Sequence, residues 1–157
     1  RVGIDVTSGE LVTLDRAPDD HRSTITDQVA GRDGSLVDVD WADDGQSFAF
    51  VSSSRDHKTA TLKIADANTG KVKTLFTETQ KTFFESGVSG ISWQYLSKTN
   101  EVIWFSQRSD WGHLYLIDAT TGKMKQPITK GDWTVLELLN VENVDAVSQQ
   151  RKSTNIL

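Results

Sequence analysis

Large apolar side chains along this chain recur at period two and never settle into the 3.6-residue period of a helix. Ser47 to Ser52 reads Ser-Phe-Ala-Phe-Val-Ser, small and large side chains alternating as on a pleated strand. A first strand is expected before it on Leu36, Val37, Val39 and Trp41, ended by the turn Asp43-Asp44-Gly45. After a polar connection at Ser53–Lys58, the next strands are expected at Thr61–Ala65 and Val72–Phe76, with Asn68-Thr69-Gly70-Lys71 reversing the chain between them. A reversal of this length wants one residue at positive φ, which glycine adopts without a Cβ penalty. The asparagine and threonine brace such a turn through local hydrogen bonds.

The unit repeats. Trp41 and Trp93 stand 52 residues apart (93 minus 41), and so do the glycines of Asp66-Ala67-Asn68-Thr69-Gly70-Lys71 and Asp118-Ala119-Thr120-Thr121-Gly122-Lys123 (122 minus 70). A truncated copy opens the chain as Asp5-Val6-Thr7-Ser8-Gly9-Glu10, its glycine 61 residues before Gly70 (70 minus 9). The excess is assigned to the polar stretch Arg16–Gly34, where Pro18, Asp19 and Asp20 mark a loop. In the later unit, strands are expected at Gly90–Trp93, Val102–Gln107, His113–Asp118 and Lys123–Ile128. Thr134–Val147 is the best helical stretch, yet Val135, Val141 and Val144 suit a strand equally, and Ser148 onward is polar and expected to be weakly ordered. Both prolines, Pro18 and Pro127, suit loops or strand ends, where no ladder donor is lost.

Four-stranded units repeating every ~40–50 residues are the pattern of β-propeller blades. The expected fold is therefore all-β, an arc of a β-propeller with about two complete four-stranded blades and part of a third. Residues 1–15 would end one blade, 34–80 form the second and 88–130 the third, and 131–157 would begin the next blade or form a frayed end. The alternative is a stand-alone antiparallel sandwich. An open arc leaves apolar blade faces uncovered, which invites self-association.

Composition narrows function only by exclusion. Of 157 residues, 36% are hydrophobic and 25% charged, and the 5 Trp, 6 Phe and 2 Tyr supply large buriable surfaces. Seventeen basic against twenty-two acidic residues give a net charge of −5, against the clustered basic face that nucleic acid requires. The absence of cysteine removes disulfides, thiolate metal sites and cysteine nucleophiles. Apolar runs such as Val102–Phe105 and Leu114–Ile117 fall far short of the ~18 residues that span a bilayer. The chain opens at Arg1 with no visible signal peptide, as an excised or processed piece would.

The later unit also carries family-like residues. Phe105-Ser106-Gln107-Arg108-Ser109-Asp110-Trp111-Gly112-His113-Leu114-Tyr115-Leu116 resembles the Ser-Glu-Arg-Asp-Gly-x-x-His-Leu-Tyr-Leu stretch of the dipeptidyl peptidase IV-like branch of the prolyl oligopeptidase family. Ile128-Thr129-Lys130-Gly131-Asp132-Trp133-Thr134-Val135 is similar to that family's Leu-Thr-x-Gly-x-Trp-x-Val, and Trp41–Gly45 with Ser54-Arg55-Asp56 resembles the preceding blade. The resemblance covers roughly residues 2–139. It implies an eight-bladed propeller capping an α/β-hydrolase domain of the same parent chain, in a serine exopeptidase that cleaves short peptides after proline or alanine near the N-terminus. The chemistry would lie elsewhere in the parent. No Gly-x-Ser-x-Gly elbow occurs here, and no Glu-Glu pair of the kind the family uses to hold the substrate's α-amino group. This portion is accordingly expected to be inactive alone, and exported, in the periplasm, as bacterial members of the family commonly are. A propeller scaffold that docks other proteins without a hydrolase domain is the alternative.

No cofactor or metal is expected. Three histidines, His21, His57 and His113, lack ligand spacing, and His113 within a strand reads as structural. Arg55/Asp56 and Arg108/Asp110 occupy equivalent connections and read as ion pairs or loop braces. Trp41, Trp93, Trp104 and Trp133 are expected to pack between blades, with Trp111 partly exposed in a turn. The connection Thr82–Val88 is the best site candidate, because the resemblance places the outer part of the substrate pocket there. Phe83, Phe84 and Glu85 are its candidate lining, although the two phenylalanines read as core before they read as lining, and Glu85 reads either as a partner for a cationic substrate group or as a surface glutamate without specific role.

Overall fold

The computed structural model describes residues 2–17, 39–56, 58–84 and 93–141. Among them ten strands form three antiparallel sheets and no helix occurs. A hairpin comes first, β1 (Val2–Ile4) with β2 (Leu11–Thr13). A four-stranded meander follows: β3 (Val39–Trp41), β4 (Ser47–Ser53), β5 (Thr59–Asp66) and β6 (Val72–Thr79), each paired with the next. A second meander is built likewise from β7 (Trp93–Leu96), β8 (Glu101–Ser109), β9 (Trp111–Asp118) and β10 (Met124–Pro127).

Several strands outrun the apolar pattern that announces them. β5 begins at Thr59 and β6 continues to Thr79, because Thr59 with Thr79 and Thr61 with Thr77 pair hydroxyls across the exposed face at 3.1 and 3.2 Å. Threonine is β-branched and suits a pleated surface while reading as polar. Of the strand expected at Gly90–Trp93, Gly90–Ser92 lie outside the described residues, and from Trp93 the strand runs on to Leu96. Its closing turn lacks glycine and is made by Asn100 at φ 54, a conformation asparagine tolerates. The stretch from Thr134 to Val141 takes no regular structure, and residues 142–147 lie outside the described residues.

The small–large alternation serves two neighbours at once. Phe48 and Phe50 on one face of β4 pack with Leu14 beside the hairpin. Ala49 and Val51 on the other face join Ala60 and Leu62 against Val102, Trp104, Tyr115 and Ile117 of the second meander. Beyond that meander, Ile103, Phe105 and Leu114 are covered by Val135, Leu138 and Val141. Each four-stranded sheet is thus covered on both faces, the first meander by the hairpin side and the second meander, and the second by the first meander and the segment carrying Val135, Leu138 and Val141. The first strands of the two meanders meet, the Tyr95 amide donating to Asp40 Oδ2 at 2.6 Å. Trp104 is buried and Trp93 half-buried, as expected of interlayer packing. Trp41 and Trp133, expected to pack likewise, are about half exposed, Trp41 resting on the Phe48 ring at 4.6 Å and Trp133 on the His113 imidazole.

The three related turns share one construction. The carboxylates of Asp5, Asp66 and Asp118 accept backbone N–H groups two and three residues on, at 2.7–3.0 Å. Their glycines Gly9, Gly70 and Gly122 take φ of 74, 71 and 70°. Two of these turns are seated on the preceding layer. Gly70 lies against the Thr13 carbonyl, and Gly122 against that of Leu75, a residue bulged out of the β5–β6 ladder. Lys73 Nζ also donates to the Thr120 carbonyl at 2.7 Å.

The same hydrogen bonds hold these carboxyls below the ordinary carboxylate range, foremost the N–H of Thr69 at Asp66 and of Thr121 at Asp118, then the threonine hydroxyls. A lowered folded-state pKa adds stability above the unfolded value near 4, and that stability is lost as pH falls through the folded one. The thermal midpoint is therefore expected to drop between about pH 5 and 3. Asp66→Asn with Asp118→Asn should flatten that limb, and an unchanged slope in differential scanning calorimetry would remove these carboxylates as its cause.

Candidate functional site

In each meander the turns β3–β4, β5–β6, β7–β8 and β9–β10 lie at one end. The β4–β5 and β8–β9 connections lie at the other, where β6 also exits. That second end carries the candidate site. Period-two alternation turns Phe76 and Glu78 of β6 toward the second meander. Phe76 meets the Trp104 ring edge-on at a centroid distance of 4.9 Å. Glu78, only 7% exposed, accepts from Trp104 Nε1 at 3.0 Å and Arg108 Nη2 at 2.8 Å on Oε2, and from Ser106 Oγ at 2.5 Å and Gln80 Nε2 at 2.8 Å on Oε1. Four donors on two oxygens saturate the carboxylate, which is the condition for burying it.

Arg108 is held in turn. Its Nε donates to Ser106 Oγ at 3.0 Å, and its guanidinium lies 4.8 Å from the centroid of the Tyr115 ring, within cation–π range. It pairs with Glu78 rather than with Asp110, contrary to the sequence expectation. Asp110 sits at the apex of the β8–β9 hairpin at φ 70, where its main chain closes the turn instead. In the equivalent connection Asp56 braces the loop by accepting from Ser54 Oγ at 2.6 Å and from the Lys58 amide.

Above this seam lies an open depression of about 680 Å³. Gln80, Lys81, Thr82 and Phe83 form one wall and Gln107, Arg108 and Asp110 the other. Phe83 is 40% exposed on this wall. Phe84 turns inward, its ring 5.8 Å from that of Trp104, within the buried core. Glu85 lies outside the described residues, as do His21 and His57. Trp111 is 43% exposed beside Asp110, at the tip of the hairpin. Glu78 and Arg108 were the residues sequence reasoning did not join. The available signal was a glutamate at a strand position whose neighbour two residues back is a phenylalanine facing the core.

His113 is buried and structural. Nε2 faces the Gly131 carbonyl at 2.9 Å, and a carbonyl only accepts, so the hydrogen resides on Nε2. Nδ1 then accepts from the Thr129 hydroxyl at 3.1 Å, while that oxygen accepts the Leu114 amide at 3.0 Å. Trp133 closes over the imidazole edge-on at 5.1 Å. Among the described residues no group of three or more His, Asp or Glu is placed to hold a metal ion, and no helix is long and apolar enough to cross a membrane.

Comparison with solved structures shows the architecture. The chain is similar to the dipeptidyl peptidase 4 of Porphyromonas gingivalis, at TM-score 0.61 and 16% identity, over 88% of this chain and 18% of that one. It is likewise similar to a protein assigned as a dipeptidyl aminopeptidase IV from Bacteroides ovatus, at TM-score 0.57 and 21% identity, over 87% and 20%. The chain thus spans about a fifth of the length of each. Its stacked meanders are an arc of a β-propeller, the hairpin and each four-stranded sheet being successive blades. The family model described as the dipeptidyl peptidase IV (DPP IV) N-terminal region matches residues 4–148, and the chain belongs to that family.

Proposed function

We propose that this chain is the non-catalytic propeller portion of a dipeptidyl peptidase IV-like serine exopeptidase. Its connection end would shape the access of short peptides to an α/β-hydrolase domain of the same parent chain. The match to the family's N-terminal region over residues 4–148 carries this reading. The exposed Phe83 ring on the wall of the depression supports it, since an aromatic surface beside polar groups suits a peptide side chain. Phe84 would act from beneath, holding the connection to the core, and Glu85, the next residue in sequence, would meet a cationic substrate group. The parent hydrolase is exported to the periplasm in this reading. Ile4, Leu11, Leu136 and Leu139, exposed at the two ends of the arc, would meet neighbouring blades or, in the isolated piece, a second copy.

The test uses the full-length parent enzyme and peptide substrates carrying proline or alanine at the second position. Release of N-terminal dipeptides is expected, and its absence removes the peptidase reading. Phe83→Ala should raise KM about 3–10-fold with kcat nearly unchanged, the mark of lost uniform binding. A KM equal to that of the unaltered enzyme would take Phe83 out of the access route while leaving the peptidase assignment standing.

A further inference from the structure

The internal repeat lets one place be compared at both seams. Counted from the turn glycines Gly9 and Gly70, the paired residues Gly3 and Val12 of the hairpin correspond to Ile64 and Lys73 of the first meander. Across the seam, Asn68 corresponds to Thr120 by the same count from Gly70 and Gly122. At the second seam this place is filled. Ile64 packs against the interlayer core, and Lys73 Nζ donates to the Thr120 carbonyl at 2.7 Å. At the first seam a glycine and a valine stand there instead, and a cavity of about 420 Å³ opens between hairpin and meander, lined by both of them with Asn68, Trp41 and Glu10. Alternation from Leu14, packed in the seam, through Val12 puts Glu10 on the same side. Among the described residues lining the cavity, Asp5 and Glu10 are the charged ones. The turn itself has no use for this second anion. Its other two copies carry Lys71 and Lys123 at that position, and Lys71 offsets the charge of Asp66.

We propose that this vacancy is a docking slot for a lysine side chain of a partner protein, which supplies from outside what Lys73 supplies within the chain at the second seam. The ammonium would donate to the Asn68 carbonyl and pair with Glu10, while its methylene stem lies along the half-exposed Trp41 ring. A negative wall beside an aromatic face is complementary to a cation and repels an anion. Val6, 97% exposed on the rim, offers apolar surface to the residues that flank the lysine, a contact no free amine would make. The inference is independent of the peptidase reading.

The test titrates pentalysine amide onto the 157-residue chain at about 0.15 M salt, where long-range attraction is screened, and follows NMR shifts. The amides of Glu10 and Asn68 and the Trp41 indole should move together, and no movement there would overturn the proposal. Gly3→Ile restores the side chain that fills the second seam and leaves every charge in place. Its Cβ would meet nothing closer than 3.9 Å. Glu10→Gln removes the anion. Each should weaken binding at least ~10-fold, and undiminished affinity in either would show the attraction to be non-specific. Should Gly3→Ile not fold, Val12→Lys decides. Its own ammonium should reach the Asn68 carbonyl, raise the thermal midpoint by about 2–5 °C and exclude the probe, so continued binding by this variant would overturn the slot. Spermidine held as tightly as pentalysine would overturn the assignment to a protein partner.

Discussion

Gly122→Ala is expected to weaken the seam between the two complete blades far more than a turn substitution ordinarily would. At φ 70 an alanine costs about 1 kcal/mol on conformation alone. The added methyl would also overlap the Leu75 carbonyl, which is main chain and has no rotamer in which to retreat. Relief requires the turn to lift off β6, at roughly a further 1–3 kcal/mol. The total corresponds to a fall in thermal midpoint of roughly 5–15 °C for a chain of this size. Gly45 supplies the control. Its φ of 69° is the same, but nothing lies within 4 Å of where its Cβ would stand, so Gly45→Ala should show only the conformational part. Equal losses for the two variants in parallel melts would mean that the seating contributes nothing.

Trp104→Ala should be the most damaging single truncation. The side chain is 2% exposed, carries Phe76 on one side and Phe84 on another, and donates to Glu78. Removing a buried tryptophan costs about 3–5 kcal/mol through lost transfer energy and the cavity left behind. Trp104→Phe keeps most of the ring and forfeits the N–H donor, for which about 1–3 kcal/mol is expected. Denaturant unfolding of the two variants separates volume from hydrogen bonding. A phenylalanine variant as unstable as the alanine one would assign the residue's role to the bond to Glu78 alone.

The blade plan was legible because its signals are local. Asp-x-x-x-Gly turns form by bonds within five residues, and period-two alternation registers directly which face is buried. Strand ends were harder to read. The threonine pairs of β5 and β6 carry the ladder past the ends of the apolar stretches Thr61–Ala65 and Val72–Phe76, and Asn100 closes a turn without the glycine that would have announced it. The site was legible only in its outline. Phe83 and Phe84 are adjacent and alike in composition, yet one lies on the depression and the other under Trp104, a division set by strand geometry at the exit of β6. Arg108 has an aspartate two residues away in sequence and takes instead a glutamate 30 residues off. A partner across a seam leaves no mark on local spacing.

The seating of each turn on the preceding strand also bears on how such a protein changes over time. The spacing between equivalent glycines is 61 residues for the first pair and 52 for the second, yet Gly70 and Gly122 reach their carbonyls in the same way. The seating of one sheet on the next at the turn end is thus the same at both seams, by contacts a few atoms wide, although the spacing differs by nine residues. Lineages can lengthen, shorten or rewrite the connections at the opposite rim without disturbing the frame. One end of the molecule would hold the frame, and the other would be free to acquire new specificities.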